Sequence, residues 1–408
     1  MATRRIYYDD SFARDFTAQV LSCEPVVHQA NTAWEVVLDA TALYPTSGGQ
    51  PYDLGKLGEA NVLEVRDEGN EIVHIVDRQV GLGTVHGCVD WTRRFDHMQQ
   101  HTGQHLLSAM FQERFGRPTV SFHLGNEIST IDLRGDEPSE AILEGAERVA
   151  NQVIFDDRRV TVRYGTAEQF AEMGVRKEVD RQGILRAIEI EGADLQPCGG
   201  THVKHTAQIG MMLVRRCTKM RQDWRVEFVC GGRAERSARK DFLLLRRAAE
   251  QLGCATDEVP EAADRAVSER DARFKQYREV LQRLAESEGA LTLQAVLPGP
   301  NGVRVIARVF PEDAQPEYLG HFASELAKSE KTIALLTRIS GGELFFAQHP
   351  SAGQDMNSLL KQVLQQLGGK GGGTREFARG RLSDSAQGEK ALSLGRGLLS
   401  AGAPQPRS

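Results

Sequence analysis

Two short segments, far apart in the sequence, each contain two potential metal ligands, and this pattern constrains the fold more than any other feature. HTGQH contains His101 and His105, and CGGTH contains Cys198 and His202. Two histidines four positions apart lie on one face of a helix. Glycines allow the backbone of a turn to approach another group closely. Because zinc accepts imidazole and thiolate in tetrahedral geometry, we predict one Zn²⁺ ion per chain, held by these four residues.

Three familiar kinds of zinc protein do not fit the pattern. A zincin requires His-Glu-x-x-His, but Thr102 follows His101, so the catalytic glutamate is missing. A zinc deaminase requires Pro-Cys-x-x-Cys, and Thr201 occupies the position of the second cysteine. A zinc finger has its ligands much closer together than the 92 residues that separate His105 from Cys198. A structural zinc site and a hydrolase of another type both remain open.

Composition is typical of a globular protein of two or three domains. The chain has 408 residues, of which 40% are hydrophobic and 26% are charged. No apolar run reaches the roughly 18 residues that would cross a membrane, and the first residues lack the apolar core of a secretion signal. Six scattered cysteines do not indicate a disulfide framework. We therefore expect a reduced, cytoplasmic protein with no membrane partner.

Charge is distributed unevenly along the chain. The net charge of −6 argues against a general polyanion binder, yet positions 204–240 contain ten basic residues and three acidic ones. Such a run can be an ordinary solvated surface, or it can attract an anionic substrate to a neighbouring site. The basic residues are Lys204, Arg215, Arg216, Lys219, Arg221, Arg225, Arg233, Arg236, Arg239 and Lys240.

Hydrophobic periodicity divides the chain into four parts, and the predicted fold class is α+β. Residues 1–90 alternate as short strands of a small β-barrel, and residues 91–232 mix helices and strands in a zinc-containing domain. Residues 233–290 are rich in Arg, Glu, Leu and Ala and predict a helical linker with a break near 253–260. Residues 291–408 predict a small α/β domain, whose last helix leads into a glycine-rich segment and a frayed tail from residue 398.

These segments together resemble the editing domain of alanyl-tRNA synthetase and its free-standing relatives, the AlaX editing proteins of the long type. The resemblance lies in YPTSGGQP (44–51), in the helix DWTRRFDHMQQHTGQHLLSAMF (90–111), in DLQPCGGTHVKHTAQIG (194–210) and in WRVEFVCGGRA (224–234). LGGKGGGTREFARG (367–380) is similar to the glycine-rich motif of the C-terminal domain of the synthetases. The motifs follow the family order along nearly the whole chain.

The resemblance implies a trans-editing hydrolase that removes serine, and glycine as a second error, from tRNA specific for alanine. An apolar pocket rejects an isostere with an added hydroxyl by only about 10²-fold, so a second site must hydrolyse the mischarged product. We expect Thr46 to hydrogen-bond the serine hydroxyl and Gln50 to bond substrate or water, as the catalytic pair. Gly48, Gly49 and Thr201 would contact the ester or the terminal ribose.

Partners follow from the same resemblance. The expected partner is mischarged tRNA specific for alanine, and a homodimer through the linker or the C-terminal domain is a further expectation. The residues expected to contact RNA are Arg215, Arg216, Lys219, Lys370 and Arg375.

Two other functions stay open at this point. A deacylase of the threonyl-tRNA editing type shares the metal pattern. A non-enzymatic RNA-binding protein with a structural zinc would also place its ligands this way.

Overall fold

The computed structural model describes residues 2–177 and 182–401, and the chain divides into two compact units between Arg247 and Ala248. The prediction of a mixed α+β chain is confirmed. The predicted frayed tail lies outside the described residues from position 402 onwards, whereas residues 398–401 belong to the last helix. Among the described residues, no helix has both the length and the apolar character that crossing a bilayer requires.

A closed six-stranded barrel forms the first part of the first unit, with the order β2-β3-β7-β6-β5-β8. The ring closes because β8 pairs antiparallel with β2. Inward residues alternate with outward ones, as in β2, where Phe16, Ala18 and Val20 are buried. The elements are β1 (Arg4–Arg5), α1 (Ile6–Asp9), β2 (Asp15–His28), β3 (Asn31–Leu38), β4 (Ala40–Thr41), β5 (Gly55–Leu57), β6 (Ala60–Glu68), β7 (Glu71–Val76) and β8 (Gly83–Val89).

Helices and two antiparallel sheets make up the rest of this unit. One sheet has the order β14-β15-β10-β9 and the other has the order β11-β12-β13. The elements are α2 (Trp91–Phe115), β9 (Thr119–Leu124), β10 (Ser129–Arg134), α3 (Glu140–Phe155), β11 (Val160–Gly165), α4 (Ala167–Glu172), β12 (Leu185–Ile190), β13 (Asp194–Pro197), β14 (Met212–Met220), β15 (Asp223–Cys230) and α5 (Gly231–Leu252).

The second unit has a five-stranded sheet with the order β16-β17-β18-β20-β19, parallel between β16 and β17 and antiparallel elsewhere. A break at Gly253, where φ is +66°, separates α5 from the next helix. The elements are α6 (Val259–Ala295), β16 (Arg304–Phe310), α7 (Pro316–Leu326), β17 (Thr332–Arg338), β18 (Glu343–Gln348), α8 (Met356–Leu367), β19 (Gly369–Gly373), β20 (Phe377–Leu382) and α9 (Gly388–Ala401).

The glycine-rich segment is a β-hairpin, β19 and β20, rather than an irregular extension of the preceding helix. Bare backbone is needed because a Cβ on Gly371 would lie 2.5 Å from the Cα of Gly380. Lys370, Arg379 and Arg381 are exposed on this hairpin. The close approach of the two strands therefore explains the glycines without reference to any ligand.

Candidate metal centre and adjoining cavity

Helix α2 supplies the first two predicted ligands from its buried middle. The helix begins at Asp90, whose side chain accepts the Arg93 N–H, and it ends at Gly116, where φ is +62°. His101 and His105 lie one turn apart and are 1% and 3% exposed. Gly103 allows this helix to approach β15, because a Cβ there would overlap the Cys230 sulfur.

The turn after β13 supplies the other two ligands. Two strands, β12 and β13, precede this turn. Arg186 on β12 fixes Cys198: its carbonyl accepts the Cys198 N–H at 3.0 Å, and its Nη1 donates to the Cys198 carbonyl at 2.6 Å. A Cβ on Gly200 would overlap the His101 ring, so only glycine lets the turn reach the helix.

The four predicted ligands converge on one point. One candidate ligand atom from each of His101, His105, Cys198 and His202 lies within 4.8 Å of the others. The Cys198 sulfur is 3.4 Å from Nε2 of His101 and 3.3 Å from Nε2 of His202. Ligands from two segments 92 residues apart in sequence therefore form one cluster.

Each imidazole in this cluster is oriented by a partner on its outer nitrogen. Nδ1 of His101 contacts Oε1 of Gln50 at 2.9 Å, and Nδ1 of His202 contacts the Thr102 hydroxyl at 3.1 Å. Nδ1 of His105 lies 3.0 Å from a carboxylate oxygen of Asp194. The other nitrogen, Nε2, is thereby left for the centre of the cluster, which is the usual arrangement around a metal.

The electrostatics of the cluster favour a thiolate. Burial acts to raise the pKa of Cys198, but the imidazoles of His101 and His202 hold it well below the ordinary value of a thiol. Burial lowers the pKa of His202 to about 3. Burial also acts to lower the pKa of His105, yet its hydrogen bond to Asp194 raises it to about 9. A thiolate and an unprotonated imidazole are the forms that bind a metal, so Cys198 and His202 are ready to bind near neutral pH, whereas a metal ion would have to displace a proton from His105.

Zinc fits the chemistry of these donors. Three imidazole nitrogens and one thiolate match the soft and borderline ligands that zinc prefers. The outer hydrogen bonds with Gln50, Thr102 and Asp194 set the orientation that coordination through Nε2 requires.

A cavity of about 460 Å³ adjoins the cluster and includes two of the ligands, His105 and Cys198, in its wall. It also contains both basic and uncharged polar side chains, which suits a polar ligand. The lining comprises Tyr44, Ser47, Gly48, Gly49, Gln104, His105, Thr119, Val120, Ser121, Phe122, Arg176, Lys177, Gln196, Pro197, Cys198, Gly199 and Gly200.

The predicted substrate-binding glycines line this cavity, but the predicted hydroxyl reader has another position. Gly48 and Gly49 have φ of +53° and +82°, and a Cβ on Gly49 would lie 2.7 Å from the Phe122 ring. Thr46 is exposed, and its hydroxyl accepts the Tyr52 N–H at 3.2 Å. The cavity lining includes the neighbouring Ser47 but not Thr46.

Gln50 and Thr201, predicted to contact substrate, are buried and bonded to each other. The Gln50 amide donates to the Thr201 hydroxyl at 2.8 Å, and its oxygen accepts the Thr201 N–H at 3.0 Å. That same oxygen contacts His101. Gln50 thus connects three segments: its own glycine loop (44–51), helix α2 and the cysteine turn (198–202).

Several residues of the site had no clear signal in the sequence. Asp194 lies under His105 and accepts a 2.7 Å hydrogen bond from Arg176. Arg94 and Asp53 form an ion pair in which neither side chain is exposed, and Asp53 also accepts the Tyr44 N–H. An isolated aspartate or arginine is indistinguishable in sequence from a surface residue, so only the fold identifies these pairs.

The predicted RNA-contacting residues lie on the surface in both units. Arg215 pairs with Asp241, and Arg216 is exposed beside it. Lys219 lies over the ring of Trp224, with Nζ 5.8 Å from the ring centroid. In the second unit Lys370 is exposed on β19, and Nε of Arg375 donates to the carbonyl of Gln354 at 3.1 Å.

Comparison with known proteins agrees with these features. The family described as "Threonyl and Alanyl tRNA synthetase second additional domain" matches residues 185–225, and the DHHA1 domain matches residues 302–400. The first match includes the cysteine turn with Cys198 and His202.

Full-length relatives extend the similarity to nearly the whole chain. The Alanyl-tRNA editing protein AlaX-L of Pyrococcus horikoshii is 32% identical, over 93% of this chain and 94% of its own length. The Alanyl-tRNA editing protein Aarsd1 of Mus musculus is 30% identical, over 94% of this chain and 95% of its own length. The Alanine–tRNA ligase of Pyrococcus abyssi is 28% identical over 96% of this chain, but this chain spans only 43% of that ligase. The chain belongs to the family of alanyl-tRNA editing proteins.

Proposed function

We propose that this protein is a trans-editing deacylase, which hydrolyses the ester between a wrong amino acid and tRNA specific for alanine. Serine is the proposed main substrate, and glycine is a second one. The observation that supports the proposal most strongly is the position of the four-ligand cluster, since His105 and Cys198 belong both to the cluster and to the cavity wall. An ester held in that cavity would lie next to the metal site.

His101, His105, Cys198 and His202 would hold one Zn²⁺ ion. Bound there, zinc would supply polarisation of the ester carbonyl or a more acidic water molecule. The chain itself positions the reacting groups: Gln50 and Asp194 orient two of the imidazoles, and the bare backbone of Gly48 and Gly49 lets the ester or ribose approach the loop. Thr46 as the reader of the serine hydroxyl stays a prediction.

The test is deacylation of purified seryl- and alanyl-tRNA specific for alanine, measured as release of the labelled amino acid. We expect the wild type to release serine much faster than alanine. Cys198→Ala would abolish release while circular dichroism shows a folded chain, and Thr46→Val would reduce the preference for serine. A zinc-loaded protein that binds tRNA without cleaving any of these esters would refute the deacylase and favour an RNA-binding protein with structural zinc.

A second candidate is editing of threonine-specific tRNA, favoured by the description of the domain matched at residues 185–225, which covers both synthetases. Seryl esters of the two tRNAs separate these functions, because they differ only in the nucleic acid. We expect hydrolysis of the alanine-specific substrate alone. Faster cleavage of the seryl ester of threonine-specific tRNA would instead identify the protein as a threonyl-tRNA editing deacylase.

Contact with tRNA is proposed through Arg215, Arg216 and Lys219 of the first unit and Lys370 and Arg375 of the second. Each phosphate contact that is lost lowers the slope of log affinity against log salt by about 1. Lys370→Ala, which removes an exposed cation, is therefore expected to weaken tRNA binding and flatten the salt dependence by about that amount. A homodimer through the linker or the second unit remains a prediction, which sedimentation of the full chain would test.

A further inference from the structure

Gln104 lines the cavity and has a buried amide oxygen without a donor among the described residues. It lies on α2 directly before His105 and is 3% exposed. Its Nε2 donates to the Ser108 hydroxyl at 2.9 Å, but no donor within the described residues reaches its Oε1. A buried amide oxygen without a partner costs roughly 1–3 kcal/mol, so a ligand that supplies a donor there would be stabilised.

A second acceptor of the same kind lines the same cavity. Gln196 on β13 donates from Nε2 to the Lys177 carbonyl at 3.4 Å, and its Oε1 also has no partner in the described part of the chain. Two amide oxygens are thus left without donors around one cavity. By contrast, the Ser121 hydroxyl of the wall has a partner, because it donates to Asp132.

The substrate class offers a group with matching donors. An aminoacyl ester has an α-amino group, which is present in part as an ammonium group near neutral pH and then has three N–H donors. A neutral amide oxygen can accept from such a cation without adding charge beside the metal ligands. Hydrogen bonds that involve one charged partner are the stronger ones.

We propose that Gln104 is a substrate-binding residue whose Oε1 accepts a hydrogen bond from the α-ammonium group of the aminoacyl ester, with Gln196 as a second acceptor. The proposal rests on the deacylase function proposed above and deepens it. It separates two tasks within one cavity: recognition of the amino group that all amino acids share, and discrimination between their side chains. The ammonium anchor would fix the ester relative to His105, the next residue on the helix.

The experiment compares two esters of alanine-specific tRNA, those of serine and of 3-hydroxypropanoic acid, which is serine without its amino group. Gln104→Met keeps the length of the side chain and removes both the acceptor and the donor to Ser108, and loss of that donor should affect both esters alike. We expect it to lower kcat/KM for the seryl ester by about tenfold or more, and to change kcat/KM for the amine-free ester less than about twofold. Gln196→Met should show the same selective loss, at a smaller size.

Gln104→Glu provides a second variant that tests the same contact in the opposite direction. Because a carboxylate attracts an ammonium group more strongly than an amide does, we expect the ratio of the two kcat/KM values to rise above that of the wild type. Gln99→Met is the matched control: Gln99 lies on the same helix and donates to the Gln208 carbonyl at 3.0 Å, outside the cavity. We expect it to leave both rates unchanged.

The outcomes distinguish this inference from the function on which it rests. If the wild type cleaves neither ester, the deacylase function fails and the inference fails with it. If the wild type is active but Gln104→Met slows both esters equally, Gln104 has only a structural role and the inference alone is overturned. If the methionine variant does not fold, Gln104→Glu decides the question. The inference is then overturned if the ratio of kcat/KM for the seryl ester to that for the amine-free ester does not rise above the wild-type ratio.

Discussion

Asp194 shows at the scale of one residue how much of this site lies beyond the four ligands. Burial acts to raise the pKa of its carboxyl, but the hydrogen bond from His105 and the charge of Arg176 lower it, so the group is a carboxylate. A carboxylate on the outer nitrogen of a metal-binding imidazole fixes the ring and makes it a better ligand. The same Arg176 side chain lines the cavity.

Asp194→Asn should therefore weaken zinc binding by about 10- to 100-fold while the fold persists. Competition with a chromogenic chelator measures the affinity directly. Asp132→Asn is the matched control, because Asp132 also accepts from an arginine, Arg225, but its other partner is Ser121 rather than one of the four cluster residues. Equal zinc affinities for wild type and Asp194→Asn would show that the carboxylate does not support the metal.

His74, inside the barrel, gives the chain a dependence on pH. Nδ1 lies 3.1 Å from the Val36 carbonyl and Nε2 lies 2.9 Å from the Thr41 hydroxyl. Burial lowers its pKa from 6.5 to about 4, so the unfolded chain binds more protons than the folded one between these values. The contribution of His74 to the free energy of unfolding is therefore fully present above pH 6.5 and is lost as pH falls towards 4.

The expected loss from His74 alone is on the order of 3 kcal/mol across that interval. His74→Gln should remove most of this slope. Urea unfolding followed by tryptophan fluorescence is suitable, because Trp34, Trp91 and Trp224 all belong to the first unit. If the free energy of unfolding depended on pH equally in the two proteins, His74 would not contribute to the pH dependence.

At the scale of elements, a buried ion pair connects the start of helix α2 to the loop between β4 and β5. Arg94 donates through Nε to Asp53 at 2.9 Å and also reaches the carbonyls of Ser11 and Ala42. Asp53 in turn accepts the Tyr44 N–H, next to the glycine loop that contains Gln50. The pair thus sets the distance between that loop and α2.

Arg94→Met should destabilise the first unit by about 3–5 kcal/mol, because it leaves the Asp53 carboxylate buried without its partner. Arg94→Met combined with Asp53→Leu should recover part of that loss, since no charge then stays buried. Urea midpoints from tryptophan fluorescence give both values. Arg93→Met is the control, because Arg93 donates to the Tyr52 carbonyl and lies over the Tyr52 ring rather than pairing with the buried Asp53. A double variant no more stable than Arg94→Met would contradict the explanation.

The elements differ in how well the sequence indicates them. The spacing of His101 and His105 predicted the helix that α2 forms, because the relation between positions i and i+4 is a local signal. The sequence did not indicate the glycine-rich hairpin, because glycine has low strand propensity. Glycines are needed there only because β19 pairs closely with β20. The four ligands could be predicted from their chemistry, whereas the partners Asp194, Arg94 and Gln104 depend on contacts between distant segments.

At the scale of the whole molecule, all four ligands and the cavity belong to the first of the two compact units. A fragment of residues 1–253, which ends at the helix break at Gly253, should therefore fold alone and bind one zinc ion as tightly as the full chain. Its tryptophan-fluorescence melting curve should match that of the full chain. Loss of zinc binding in the fragment would show that the second unit is needed to complete the site.

The separation of the two ligand pairs also has a consequence during synthesis. A ribosome that adds 5–20 residues per second needs roughly 5–20 seconds to pass from His105 to Cys198. During that interval the nascent chain has two histidines for a metal ion but lacks the thiolate. If the proposed site binds zinc, firm capture of the ion would have to wait until Cys198 has been translated, and the metal would then be one of the last components to enter this unit.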